Sequence, residues 1–267
     1  METFADKVVV VTGASEGIGR ALCLKFAEHA PRLVMAARNE DRLNELKEQV
    51  EILGAKALAV PADLTRQDAC RNLVETAVSE YGGIDVLVNN AGRTMWTPFE
   101  DIEDLSVFKK IMDLNYLGSV YCTWYALAYL KKSKGRIVGV SSVAGLNGVP
   151  SRTAYAASKH AMFGFFDSLR IELTHTGVSV TMIAPDFVES EIHKRALDSK
   201  GNPLGKSPVH YSKTMTADQC AALMLKAIEK RDRCLVPSLR GKIGRWLKLV
   251  SPSLVDGIAA KAIRKAR

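Results

Sequence analysis

Tyr155 and Lys159 stand four residues apart in the stretch YAASK, with only small residues between them. On a helix, positions i and i+4 lie one above the other, so the phenol and the ammonium project side by side. Such a pair could do acid–base chemistry. A free phenol titrates near ~10, and a nearby cation favours the phenolate. Bringing it to about 7 takes roughly 4 kcal/mol. One exposed ion pair supplies ~0–1 kcal/mol, so Lys159 alone at a wet surface does not suffice. A pocket with a second cation or more hydrogen bonds would. The five residues by themselves are also compatible with a surface Tyr–Lys pair on an amphipathic helix.

A second chemical feature lies near the N-terminus. TGASEGIG, Thr12–Gly19, follows an apolar run and precedes a helical pattern. Glycines at 13, 17 and 19 permit a tight turn and let backbone N–H groups and a helix N-terminus approach a pyrophosphate. About twenty residues on, a site for NAD usually places Asp or Glu against the ribose hydroxyls. Here the sequence reads AARN, and Arg38 stands where the acid would be. An arginine there can pair with a 2′-phosphate and stack on adenine, which favours NADPH. Glu16, inside the loop, would repel a phosphate and argues the other way.

These residues need a scaffold, and the chain supplies a regular one. Short apolar runs bounded by Gly, Pro, Asp or Asn recur at Lys7–Gly13, Arg32–Ala37, Ala55–Asp63, Ile84–Gly92, Gly135–Ser142 and Val178–Pro185, with a weaker one at Arg233–Ser238. Such runs fit strands buried on both faces of a parallel sheet. Helical patterns at Gly19–Ala30, Asn39–Leu53 and Arg66–Tyr81 alternate with them. The expected fold is α/β: a doubly wound, Rossmann-like parallel sheet of about seven strands with helices on both faces. The expected organisation is one catalytic domain over residues 1–240, with a substrate lid near 186–215, and a basic amphipathic helical extension over 241–267. The uncharged run Leu114–Leu130 is read as a buried helix, being at the short end of the spanning range.

Composition agrees with a soluble globular protein: 267 residues, 47% hydrophobic and 25% charged. The five cysteines are scattered without CxxC spacing, which argues against a disulfide scaffold or zinc site and suits a reducing cytosol. METFADK at the start is too short and too charged for a signal peptide. The net charge of +8 is entirely C-terminal. From Arg231 onward there are ten basic and two acidic residues, which leaves 27 of each in the rest of the chain. That excess reads either as a solvated helical face or as a patch for an anionic lipid surface. With one Trp in the basic tail, the interleaved aromatics of a single-strand nucleic-acid groove are lacking. No histidine shows metal spacing, His193 and His210 included.

With TGASEGIG, NNAG and YAASK in this order, the chain resembles the short-chain dehydrogenase/reductase family, single-domain type, over roughly residues 5–185. The lid and tail resemble its hydroxysteroid-dehydrogenase-like branch. The resemblance implies a catalytic set of Asn115, Ser142, Tyr155 and Lys159. Tyr155 would protonate a substrate carbonyl as a nicotinamide supplies hydride, or run the reverse. Lys159 would favour the phenolate and hold the nicotinamide ribose, Ser142 would orient the carbonyl, and Asn115 would hold a relay water. Asp63 would hold the adenine amino group. Asn89, Ala91 and Gly92 would line the adenosine ribose, and Pro185 would begin the segment against the nicotinamide. Further contacts to NADP are implied for Ser15, Ile18, Leu64, Val188 and Ser190, beside Gly13, Gly17, Gly19, Arg38, Tyr155 and Lys159. Ser141 and Ser158 are read as structural.

One departure stands out. Relatives commonly carry Pro-Gly after the sixth strand, and here PDFVESE places Asp186 at the glycine. An acid there either changes the cofactor loop or faces solvent. Apolar residues in RTMWTPF (Arg93–Phe99) and after Pro185 suggest a hydrophobic, lipid- or steroid-like ketone or alcohol, or loop packing alone. In the tail, Ile243, Trp246, Leu247 and Val250 form one helical stripe, and Leu254, Val255, Ile258, Ala259, Ala262 and Ile263 another. The stripes could dock on protein, close the pocket, or rest on a membrane, so the expected place is cytoplasmic with peripheral membrane association open. A homodimer or homotetramer is implied by the resemblance, through the helix after Asn115 and the helix bearing the Tyr–Lys pair. The competing reading is an NAD(P)-binding sensor with little turnover.

Overall fold

Every apolar run named above becomes a strand in the computed structural model, which describes residues 4–208 and 214–264, with side chains through residue 260. Residues 209–213 of the expected lid, His210 among them, and the side chains of Ala262 and Ile263 lie outside the described residues. The strands are β1 (Val8–Thr12), β2 (Arg32–Ala37), β3 (Lys56–Pro61), β4 (Val86–Asn89), β5 (Arg136–Val140), β6 (Ser179–Ile183) and β7 (Cys234–Leu235). They form one sheet in the order β3-β2-β1-β4-β5-β6-β7, every neighbouring pair parallel. The order reverses between β1 and β4, which opens a crevice at the carboxyl ends of those strands.

Successive side chains of a strand face opposite ways, and the two cores follow that alternation. Val9, Val11, Leu33 and Met35 pack under α1 (Gly17–Ala27), α2 (Glu40–Ile52) and α7 (Ala217–Glu229). Val8, Val10, Val34 and Ala36 pack under α3 (Gln67–Tyr81), α5 (Gly118–Ser133) and α6 (Thr153–Glu172). Helix starts follow local chemistry. Asn39 accepts the Arg42 amide at 2.8 Å to cap α2, and Thr216 with Gln219 forms a reciprocal capping box on α7. Cys23, Cys70, Cys122 and Cys220 are buried thiols.

The run Leu114–Leu130 corrects its expectation. It opens as a π-helical turn, Asp113–Leu117, after α4 (Ser106–Met112), and continues into α5. Cys122, Ala126 and Leu130 face the core, whereas Trp124 is 69% exposed. The helix is therefore half-buried. Among the described residues no helix is long and apolar enough to cross a membrane.

Candidate active site

A cleft of about 910 Å³ runs from the glycine turn, past the ends of β4 and β5, to the C-terminal helices. Gly13 sits at φ +65°, and a Cβ there would lie 2.8 Å from the Ala91 Cα. A Cβ on Gly19 would lie 2.2 Å from the Gly13 carbonyl oxygen. Only glycine permits this closeness between the first turn of α1 and the loop. Asn90 buttresses the turn by donating to the carbonyls of Thr12 and Gly13 at 2.9 and 3.2 Å. These backbone positions leave the cradle that a dinucleotide pyrophosphate requires. Gly13, Ser15, Gly17, Ile18, Arg38, Leu64, Ala91, Gly92, Pro185, Val188 and Ser190 all line the cleft, as do Ser142, Tyr155 and Lys159.

Four expected site residues stand elsewhere. Gly19 lies beneath the turn. Asp63 is exposed and accepts the Thr65 amide and hydroxyl at 3.1 and 2.9 Å. Asn115 is fully buried behind the cleft wall. Asn89 is a correction: it ends β4 pointing away from the cleft and donates to Thr123 on α5 at 3.0 Å. The neighbour Asn90 takes the lining position, because one step along a strand reverses the side-chain direction.

At the other end of the cleft, β5 delivers Ser142 and α6 delivers Tyr155 and Lys159. The Ser142 hydroxyl accepts the Ala144 amide at 3.1 Å and donates to the Pro185 carbonyl at 3.3 Å. Burial pushes the Tyr155 phenol up, and the guanidinium of Arg152 and a hydrogen bond with Ser142 draw it back. Lys159 shares the helix face with Tyr155, but its ammonium reaches past the ring to donate to the Val140 carbonyl at 2.8 Å. Burial holds Lys159 down to about 7. Asn115 donates to Ser158 at 2.9 Å, and Ser158 donates to the Tyr155 carbonyl at 2.8 Å. The π-helical turn thus fastens to α6 through its expected structural serine. Ser141, likewise, donates to the Lys159 carbonyl at 2.9 Å.

At the adenosine end, Arg38 is exposed at the cleft edge. Glu16 does not stand as a bare anion: Arg42 donates to it at 2.8 Å, and Arg195 pairs with the same carboxylate oxygen.

Asp186 lines the cleft beside Pro185 and Phe187, with its side chain 12% exposed. Its carboxylate takes a two-pronged hydrogen bond from Arg240 at 2.8 and 2.6 Å and a third from Ser238 at 3.1 Å. Ser238 also accepts the Gly241 amide at 3.0 Å and caps α8 (Leu239–Val250). The departure from Pro-Gly is therefore a clamp that ties α8 to the loop after β6. Ile243 and Leu247 of α8, with Val255 and Ile258 of α9 (Pro252–Arg264), wall the cleft. Thus the helical region expected from residue 241 begins at Leu239 and contributes to the site. The first tail stripe divides, for Trp246 and Val250 stay 69% and 84% exposed.

Fold and cleft together define an α/β protein with a dinucleotide cradle and a buried Ser–Tyr–Lys group at opposite ends of one crevice. Comparison with known proteins narrows the class. The short chain dehydrogenase family matches residues 7–201. A dehydrogenase/reductase SDR family protein 7-like of Dictyostelium discoideum is 34% identical over 265 residues, 97% of this chain and 82% of that protein. An 11-beta-hydroxysteroid dehydrogenase 1A of Arabidopsis thaliana is 34% identical over 267 residues, 96% of this chain and 75% of that protein. In fold, a short chain dehydrogenase/reductase from Burkholderia phymatum, solved in complex with NAD, overlays with a TM-score of 0.85 at 24% identity, covering 95% of this chain and 96% of that one. The chain belongs to the short-chain dehydrogenase/reductase family, in its hydroxysteroid-dehydrogenase-like branch, and is an oxidoreductase of that family.

Proposed function

We propose that this chain interconverts a carbonyl and a secondary alcohol on a hydrophobic, lipid- or steroid-like substrate, with NADP(H) as cofactor. The observation that carries the reading is the convergence of Ser142, Tyr155 and Lys159 on one end of a cleft whose other end holds the glycine turn and Arg38. The cofactor, when bound, supplies or accepts a hydride. Tyr155 donates its hydroxyl proton to the carbonyl oxygen, or accepts it in the reverse direction. Ser142 orients that oxygen and stabilises its developing charge. Lys159 holds ribose hydroxyls, and Asn115 keeps the relay side of α6 in place. Apolar walls from Trp96, Phe187, Ile243, Leu247, Val255 and Ile258 exclude water from an apolar substrate. The hydroxysteroid dehydrogenases among the relatives support a substrate of that shape. The test is consumption of NADPH and NADH, in parallel, across a panel of hydrophobic ketones. An NAD(P) sensor would bind cofactor and turn over none of them.

On α8 and α9, the helices that wall the cleft, Trp246, Leu249, Val250 and Leu254 are exposed beside Lys242, Arg245 and Lys248. An apolar rim with basic neighbours suits the surface of an anionic membrane, from which an apolar substrate could enter directly. Trp246→Ser/Leu249→Ser removes two exposed side chains and leaves the core alone. Burying each in lipid is worth about 1.5–3 kcal/mol. The double variant should therefore lose at least tenfold in sedimentation with vesicles containing phosphatidylserine. Equal sedimentation with the parent would remove the membrane from this reading.

The pair of helices α5 and α6 carries the proposed subunit contact, with Trp124 and Ile171 both about 70% exposed. A dimer or tetramer is expected in analytical ultracentrifugation, and Trp124→Glu should shift it toward monomer. A parent that sediments as a monomer at micromolar concentration contradicts the assignment.

A further inference from the structure

Arg152 occupies an unusual place for a guanidinium. It immediately precedes α6, three residues before Tyr155, and is only 5% exposed. Its Cζ lies 4.2 Å from the centre of the Trp96 ring, 5.1 Å from that of Phe187 and 5.8 Å from that of Tyr155. Its Nη2 is 3.3 Å from His193 Nδ1. Trp96 comes from the loop after β4, and Phe187 and His193 from the loop after β6. Two separate loops therefore close around one cation at the wall of the cleft. Aromatic faces attract such a cation and hold its plane.

We propose that Arg152 is the second cation of the site, a positioning residue whose fixed charge stabilises the negative oxygen of Tyr155 during proton transfer. The inference rests on the reading of Tyr155 as proton donor and acceptor. It answers a question that Lys159 leaves open. The ammonium of Lys159, at the same 5.8 Å from the Tyr155 ring centre, donates to the Val140 carbonyl and is held by burial near 7. Around neutrality its charge is therefore partial. A guanidinium keeps its proton throughout the working range.

Among the described residues, the other ionisable groups around Tyr155 do not duplicate this charge. His193 is held down to about 4 by burial and by Arg152, so it is neutral at working pH. Asp186 and Arg240 close on each other. Glu16 is paired with Arg195 at the far side of the cleft. Helix α4 packs Val107 and Ile111 into the cluster that holds Tyr155, while its Lys109 and Lys110 pair with Asp113 and Asp104. The end of β5 presents the neutral hydroxyl of Ser142.

The test is the titration of Tyr155 itself, read as phenolate absorbance of each protein minus that of its Tyr155→Phe version, together with the pH profile of kcat. Without Arg152 the phenolate loses a favourable partner, so its titration moves to higher pH. In Arg152→Met both readouts should move up by about one to two pH units, the size of one charge at ~6 Å in an effective dielectric of ~20. Arg152→Lys should recover most of the shift. Arg152→Gln, uncharged and polar, serves if the Met variant does not fold. A uniform fall in kcat with an unmoved titration would mean that Arg152 only packs the aromatic rings, and would overturn the proposal. An equal shift in the Lys and Met variants would do the same. Failure of the oxidoreductase reading would look different: the parent would consume no cofactor, while its absorbance titration could still be read.

Discussion

Tyr155→Phe should leave a folded protein that binds its cofactor and reduces nothing. The substitution removes one oxygen and keeps the ring, which packs with Met95, Val107, Ile111, Ala154 and Leu197. Nothing in that apolar cluster loses a partner, so stability and cofactor affinity should stay near those of the parent. What disappears is the proton that neutralises the carbonyl oxygen as hydride arrives. General acid–base catalysis by one positioned group contributes about 10²–10⁴ in rate. The loss should fall in kcat with KM nearly unchanged, since the hydroxyl acts mainly in the transition state. Calorimetric titration with cofactor and the absorbance of the reduced nicotinamide measure the two sides separately. A parent that turns over hydrophobic ketones while Tyr155→Phe retains more than a tenth of its kcat would place the acid elsewhere.

What the sequence disclosed and what it hid divide along a physical line. Local signals were legible. β-branched runs between turn residues became β1–β7, and glycine spacing located the cradle, because both depend on backbone geometry over a few neighbours. The Ser142, Tyr155 and Lys159 set came from motif spacing and resemblance, and its members do line one cleft. Features decided by tertiary contact were not legible. Arg152 at a helix start reads as an ordinary surface charge. Only the meeting of Trp96, Phe187 and His193, far apart in the chain, makes it a buried cation. Asp186 was visible as a departure but not as a clamp, since its partners Ser238 and Arg240 lie more than fifty residues on. The resemblance implied Asn89 alone, and which asparagine of NNAG lines the cleft turns on strand phase, which a one-residue uncertainty in the end of β4 leaves open. Glu16 was read by its own charge alone, and its two arginine partners offset that charge.

The same correction strengthens the expectation for cofactor choice. Arg38→Ala should lower kcat/KM for NADPH by roughly 10–150-fold, the worth of a charge-assisted hydrogen bond at about 1.5–3 kcal/mol. For NADH it should change little. Two observations lead there. First, Glu16, the one acid of the glycine turn, already has Arg42 and Arg195 on it, so it adds little repulsion toward a phosphate. Second, Arg93 has its pKa lowered by burial and then by the like charge of Arg38, with Asp63 opposing the effect. Two guanidiniums held close repel one another, and an anion between or beside them would relieve that repulsion. A 2′-phosphate is such an anion, and the ribose hydroxyl of NADH is not. Because Arg38 is exposed, the advantage of NADPH should shrink as salt is raised. If the parent uses NADH better, or if Arg38→Ala weakens both cofactors alike, then Arg38 serves adenine stacking alone. The pair of arginines would then have to be explained without a phosphate.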